Sequence, residues 1–156
     1  MSIDVSKYVR VATLDDLNTL VRFSRKFQKN SPYKGMEFSN ERTRQTLEAI
    51  IRTNGLKGIV LVALKGSEAV GMIVAMADYP PMSSDLMSTE LAWWIEPEHR
   101  KSRRSLLLFE TYEAWAKKIG CKYIHSAYLE GSTELTSFYN RKGYKKVETS
   151  FLKGAL

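Results

Sequence analysis

The spacing of apolar positions changes several times along the chain, and each change predicts an element. Tyr8 to Ala12 alternates as a short strand does. Thr13-Leu-Asp-Asp marks a helix start in which Asp16 completes a capping box with Thr13. Leu17, Leu20, Val21 and Phe27 then form one apolar face, ending near Asn30 and Pro32. A second helix is predicted from Ser39, with Leu47, Ile50 and Ile51 on its buried side and a left-handed close at Asn54-Gly55. From Gly58 the pattern becomes two continuous apolar runs, 59–64 and 69–77, around Lys65-Gly66-Ser67-Glu68, which is the pattern of a hairpin.

After an aperiodic loop from Asp78 to Ser88 comes the stretch that organises the rest. Thr89 to Ile95 is apolar and aromatic and reads as a buried strand, ended by Pro97 because proline cannot donate to a ladder. A helix follows, with Ser102 as its N-cap and Leu108, Tyr112, Trp115 and Ile119 on its buried face. Gly120-Cys121 ends it, and Lys122 to Leu129 is predicted as a strand. Ser132 then caps a short helix carrying Leu135, Phe138 and Tyr139, Gly143 stops that helix, and Tyr144 to Lys153 returns as a last strand. The order β-α-α-β-β-β-α-β-α-β predicts an α/β (mixed α+β) fold: a mixed, mostly antiparallel central sheet of six to seven strands with helices on both faces. No linker or repeat divides residues 1–156, so one domain is expected.

Composition narrows the class. At 156 residues and 44% apolar content the chain has enough material for one packed core. No stretch is long enough to cross a bilayer and the first residues carry no apolar signal region, so a cytoplasmic protein is expected. One cysteine, Cys121, and two histidines give neither an internal disulfide nor zinc spacing, so no metal is expected. The net charge of +7 favours anionic ligands. Its most pointed expression is His99-Arg100-Lys101-Ser102-Arg103-Arg104-Ser105, set between a strand and a helix where free N–H groups and the helix dipole converge: a phosphate cradle. A solvated basic turn is the plainer alternative. A third reading joins the run with Lys117, Lys118, Arg141, Lys142, Lys145 and Lys146 into a surface for nucleic acid or an acidic protein.

The element order, the segment Trp94-Ile-Glu-Pro-Glu-His-Arg100 before a helix, and Ser137-Phe-Tyr-Asn-Arg-Lys-Gly-Tyr144 near the end together resemble the GCN5-related N-acetyltransferases. The resemblance spans nearly the whole chain and implies transfer of an acetyl group from acetyl-coenzyme A to an amine. The family's pyrophosphate loop, Arg/Gln-x-x-Gly-x-Gly/Ala, falls here on Arg100, Lys101, Ser102, Arg103, Arg104 and Ser105. Arg103 replaces the first glycine and Ser105 the second small residue, which exchanges close backbone approach for charge. The resemblance also implies that N–H groups near Trp94 and Ile95 face the thioester oxygen. It makes Tyr139 the acid that protonates the leaving thiolate; the alternative is that Tyr139 only packs with Phe138. Ser132 stands where the family often has an asparagine that bonds the pantetheine arm.

Glu90, on the central strand, is the implied general base acting through water, against the reading of an exposed carboxylate at a strand end. His125 is the second choice. The acceptor groove is expected between the 31–38 link and the 78–88 loop, lined by Tyr33, Met36, Phe38, Met82, Leu86 and Met87, with Glu37, Asp78 and Asp85 to attract a cation. Partners are thus acetyl-coenzyme A and an amine, and a homodimer is expected from an edge position of the last strand. The contrasting function is a binding module on the same fold without catalysis.

Overall fold

The computed structural model describes residues 2–154. Strand β1 is Val9–Val11, and Thr13 N–H donates to Asp16 Oδ2 at 2.7 Å. That capped turn is a single 3-10 turn, Leu14–Asp16, from which helix α1, Leu17–Lys29, continues. Ser39 Oγ accepts from Arg42 N–H to start α2, Asn40–Arg52, and Asn54 and Gly55 both take the left-handed conformation that closes it. The hairpin joins β2, Gly58–Lys65, to β3, Glu68–Asp78, through Gly66 and Ser67. Strand β4, Met87–Ile95, leads through a turn at Pro97–His99 into α3, Arg103–Lys118. Strand β5, Tyr123–His125, and helix α4, Leu135–Arg141, complete the elements.

The five strands stand in the order β1-β2-β3-β4-β5, antiparallel throughout except for the parallel pair β4–β5. Helices cover both faces. On one, Leu107, Leu108, Phe109, Tyr112 and Trp115 of α3 and Tyr139 of α4 pack on Leu61, Ile73 and Ile95. On the other, Leu17, Leu20 and Phe23 of α1 and Leu47 and Ile50 of α2 pack on Val60, Val62, Met72 and Trp94. Each fully buried residue of this size stabilises the fold by about 1.5–3 kcal/mol relative to exposure. Phe23, fully buried, sits within the α1 face between Leu20 and Phe27.

The sheet differs from expectation at its last edge. It has five strands rather than six to seven, because β5 covers only three of the eight residues from Lys122 to Leu129, and 144–153 forms no strand among the described residues. The alternation is present in that tail, but a ladder needs a partner. Val147 and Phe151 are instead 78% and 94% exposed. Ser132 is also not the cap of α4, which starts from Glu134 without a side-chain cap bond; Ser132 contributes its carbonyl to Leu135 N–H and its own N–H to Leu129 O.

Two bulges interrupt the ladders. Ala63 pairs with Gly71 while Leu64 pairs with Ala69, which leaves Val70 as the extra residue in β3. Val74 pairs with Ala92 while Ala75 pairs with Glu90, which leaves Leu91 extra in β4. A bulge bends its strand and re-aims neighbouring groups.

Candidate active site

Two places stand out, both on β4. The first is the turn from its end into α3. Ser102 has extended backbone, its Oγ accepts from Ser105 N–H at 3.4 Å and donates to His99 O, and it is the N-cap the sequence predicts. The first N–H groups of α3, on Arg103 and Arg104, have no acceptor within the helix. The left-handed residue of this loop is Lys101, at φ 55°, a conformation that costs a side-chain-bearing residue about 1–2 kcal/mol. Arg103, in the place of the family glycine, is instead the first residue of the helix, so its side chain imposes no strain there.

The basic side chains divide. Arg100 donates through Nε to Ile95 O at 2.9 Å and lies 4.8 Å over the Trp94 ring. Arg104 donates through Nε to Leu64 O at 3.0 Å, and its Nη1 lies 3.3 Å from His99 Nδ1. Lys101 and Arg103 are exposed, while Ser105 is half-buried in the first turn.

The second place is the split between β4 and β5. Their parallel pairing runs Met87↔Tyr123, Ser88↔Ile124, Thr89↔His125, and stops. From Glu90 to Ile95 the outer edge of β4 has no ladder partner among the described residues, and 126–129 continues without strand structure. Trp94 and Ile95, both buried, lie along this open edge. Alternation puts Ser88 and Glu90 on the α3 side of the sheet. There Tyr112 OH lies 3.1 Å from Ser88 Oγ and donates to His125 O at 3.4 Å. Tyr139 is buried, donates its hydroxyl to Ala127 O at 3.2 Å, stacks on Tyr128 and meets Phe109 edge-on.

Burial governs the electrostatics of this cluster. It raises the Glu90 carboxyl from its ordinary 4.5 to about 7, against the opposing effect of the Ala127 backbone N–H. Glu90 as a whole is half-buried, but its Oε2 is buried and has no partner among the described residues. The Tyr139 hydroxyl is pushed well above the ordinary tyrosine value by burial first and by the nearby Glu90 charge second, and Tyr112 likewise by burial. Trp93 Nε1, Trp94 Nε1, His125 Nδ1 and Ser126 Oγ are also buried without protein partners. Buried polar groups are normally bonded, so the unpartnered Glu90 Oε2 and Ser126 Oγ, near Tyr112 and Tyr139 beside the open strand edge, mark a place for water or a ligand.

The fold thus brings Glu90 and Tyr139 together. It does not bring His125 to them: opposite Thr89, His125 faces the other side of the sheet, with its Nε2 3.2 Å from Glu148 Oε1. Ser132 lies in the turn before α4, half-buried. Asp85, expected to attract a cationic acceptor, is already paired with Lys122. Ser88, Tyr112 and Ser126 are members of the cluster that the sequence pattern does not single out. The available signal is Ser88 and Glu90 at alternate positions of a strand, which places polar groups on its buried face. Among the described residues no group of three or more His, Cys, Asp and Glu is placed to hold a metal ion, and no helix is long and apolar enough to cross a membrane.

A model of the acetyltransferase (GNAT) family matches residues 23–144, and the chain belongs to that family, whose shared reaction is acetyl-coenzyme A-dependent acetylation. No curated protein matches the chain. Among solved structures, an integron cassette protein from the mobile metagenome of Cole Harbour Salt Marsh is 20% identical with a TM-score of 0.75, covering 97% of this chain and 92% of its own. The aminoglycoside antibiotic 6'-N-acetyltransferase of Acinetobacter haemolyticus is 15% identical with a TM-score of 0.72, over 95% and 97%. An aminoglycoside N-acetyltransferase in complex with CoA is also 15% identical, with a TM-score of 0.74, over 94% and 93%. At these identities the likeness establishes the shared fold.

Proposed function

We propose that the protein is an acetyl-coenzyme A-dependent N-acetyltransferase that moves the acetyl group directly to an amine. The observation that carries this reading is that, beside the open edge of β4, the buried end of Glu90 and the buried Tyr139 hydroxyl meet the same residue, Ala127, one at its N–H and the other at its carbonyl, with burial raising the proton affinity of both. An ammonium must lose a proton before it can attack a thioester. Glu90, poised near neutral pH, takes that proton through a water. The amine nitrogen then bonds to the thioester carbon, and the resulting oxyanion is held by N–H groups of the unpaired edge near Trp94 and Ile95. As the C–S bond breaks, the electron pair leaves on sulfur and Tyr139 supplies the thiol proton, while the surplus proton on the acylated nitrogen passes through water to restore the phenol, releasing the thiol and the neutral amide.

The loop from Arg100 to Ser105 holds the coenzyme's pyrophosphate with the unpaired N–H groups at the start of α3 and with guanidinium charge, and Ser132 and the 126–129 segment flank the pantetheine arm. The acceptor is an amine that enters between the 31–38 link and the 78–88 loop. A thermal-shift titration tests the reading: acetyl-coenzyme A at micromolar concentrations raises the melting temperature, by the linkage of binding to stability. No shift at millimolar coenzyme, together with salt-sensitive binding of nucleic acid, would replace the enzyme with a binding module.

A further inference from the structure

The two irregular places on β3 and at the start of α3 are joined by contacts that the coenzyme reading does not use. At the hairpin bulge, Leu64 gives its N–H to Tyr8 O and takes Arg104 Nε on its carbonyl at 3.0 Å. Across the same bulge the extra residue Val70 offers its carbonyl to Glu96 N–H at 2.9 Å. Both ties lead to the cradle, one from before its turn and one from the first helical turn after it. Arg104 also reaches back to His99 Nδ1, 3.3 Å from its Nη1, so the guanidinium spans the turn from Pro97–His99 to α3. A further tie runs from α1, where Lys26 Nζ pairs with the Glu96 carboxylate. Neutralising Glu96 matters beside a site for anions, because an unpaired carboxylate there would repel the ligand.

From these contacts we infer that Arg104 is a positioning residue that fixes the cradle to the hairpin bulge, and that Arg103, with Lys101, meets the anion. The assignment rests on the coenzyme reading and divides the arginines within it. Arg104 has a planar fork with two donors directed at two separated protein atoms, Leu64 O and His99 Nδ1. An ammonium on a flexible stem cannot reproduce that geometry. Arg103 is exposed at the helix start, next to the unpaired N–H groups, and Lys101 is held left-handed beside it. The cradle lacks the family's glycine at position 103, so its shape depends on ties from outside the loop.

The test is calorimetric titration of coenzyme A into wild type, Arg103→Ala, Arg103→Lys, Arg104→Ala and Arg104→Lys at several ionic strengths, with melting curves to confirm folding. Arg103→Ala is expected to weaken binding about tenfold and to flatten its salt dependence, and Arg103→Lys to recover part of both. Arg104→Lys is expected to bind as weakly as Arg104→Ala, with the salt dependence of wild type in both. A wild-type affinity in Arg104→Lys beside a weakened Arg104→Ala would show that Arg104 acts by charge, and would overturn the assignment. So would a salt dependence flattened by Arg104→Ala as much as by Arg103→Ala. If wild type itself binds no coenzyme A, the coenzyme reading falls and the division of the arginines falls with it.

Discussion

The cradle and the split lie at opposite ends of the same open edge of β4, and they are built by opposite means. In the cradle, exposed charges surround a loop in which the side chains of Ser102, Arg100, Arg104 and Glu96 have protein partners, while the first N–H groups of α3 stay unpaired within the helix. In the split, the polar groups are buried and several have none. Exposed charge provides attraction that salt can screen, whereas burial provides shifted proton affinities that salt barely touches. Under the proposed function, binding strength belongs to the first region and reactivity to the second. Substitutions should separate the two.

The largest effect is expected at Glu90. Glu90→Gln removes the base and should lower kcat/KM by about 10²–10⁴-fold while leaving coenzyme affinity near wild type. In the wild type, kcat/KM should rise with pH through about 7 and level off above it, and the variant should lose that limb. The same carboxyl carries a stability signature. Its pKa is higher folded than unfolded, so its contribution is fully present below pH 4.5, is lost as pH rises toward about 7, and is constant above. The loss amounts to about 3 kcal/mol, and urea titrations at pH 4.5 and 8 would show it in wild type and not in Glu90→Gln.

Tyr139→Phe comes next, with kcat expected to fall about 10²-fold. Coenzyme affinity should hold. If the Ala127 bond were the hydroxyl's whole purpose, the variant would instead lose about 0.5–1.5 kcal/mol of stability and keep full turnover per folded molecule.

Gly71→Ala strikes both regions at once. Its added methyl would come 2.4 Å from Ile95 Cδ1 and 2.7 Å from Trp94 O, where β3 lies against the end of β4. Overpacking of this kind costs about 1–3 kcal/mol, readable in the denaturation midpoint, and should weaken coenzyme binding by displacing the start of the cradle. The smallest change is Arg103→Glu, for which calorimetry should show coenzyme binding weakened roughly tenfold or more, with kcat at saturation unchanged.

The two regions also differ in how far the sequence exposes them. The cradle's local rules are short-range, and they are legible: proline after the strand, serine at the cap, apolar residues at helical spacing after it. Which arginine is tied down and which is free is not, because Leu64 lies 40 residues from Arg104. In the split, the resemblance points to Tyr139 and Glu90, but Ser88, Tyr112 and Ser126 join them through tertiary packing alone. The eight-residue strand expected from Lys122 to Leu129 is shortened to three residues because its pairing with β4 stops at Thr89, and pairing is a property of two strands. The tail from Tyr144 has the right alternation and lacks a partner, which no pattern within it reveals.

Trp93 and Trp94 are consecutive on β4, so their rings lie on opposite faces of the sheet, one against Phe109 and Phe138 and the other beneath the Arg100 guanidinium. The chain's third tryptophan, Trp115, is bonded through Nε1 to Gly55 O on another part of the molecule. Two of its three tryptophans thus flank the open edge back to back, each with an indole N–H that has no partner among the described residues. Emission from the unlabelled protein accordingly carries a built-in optical report of what enters the split and of how Arg100 is disposed above it.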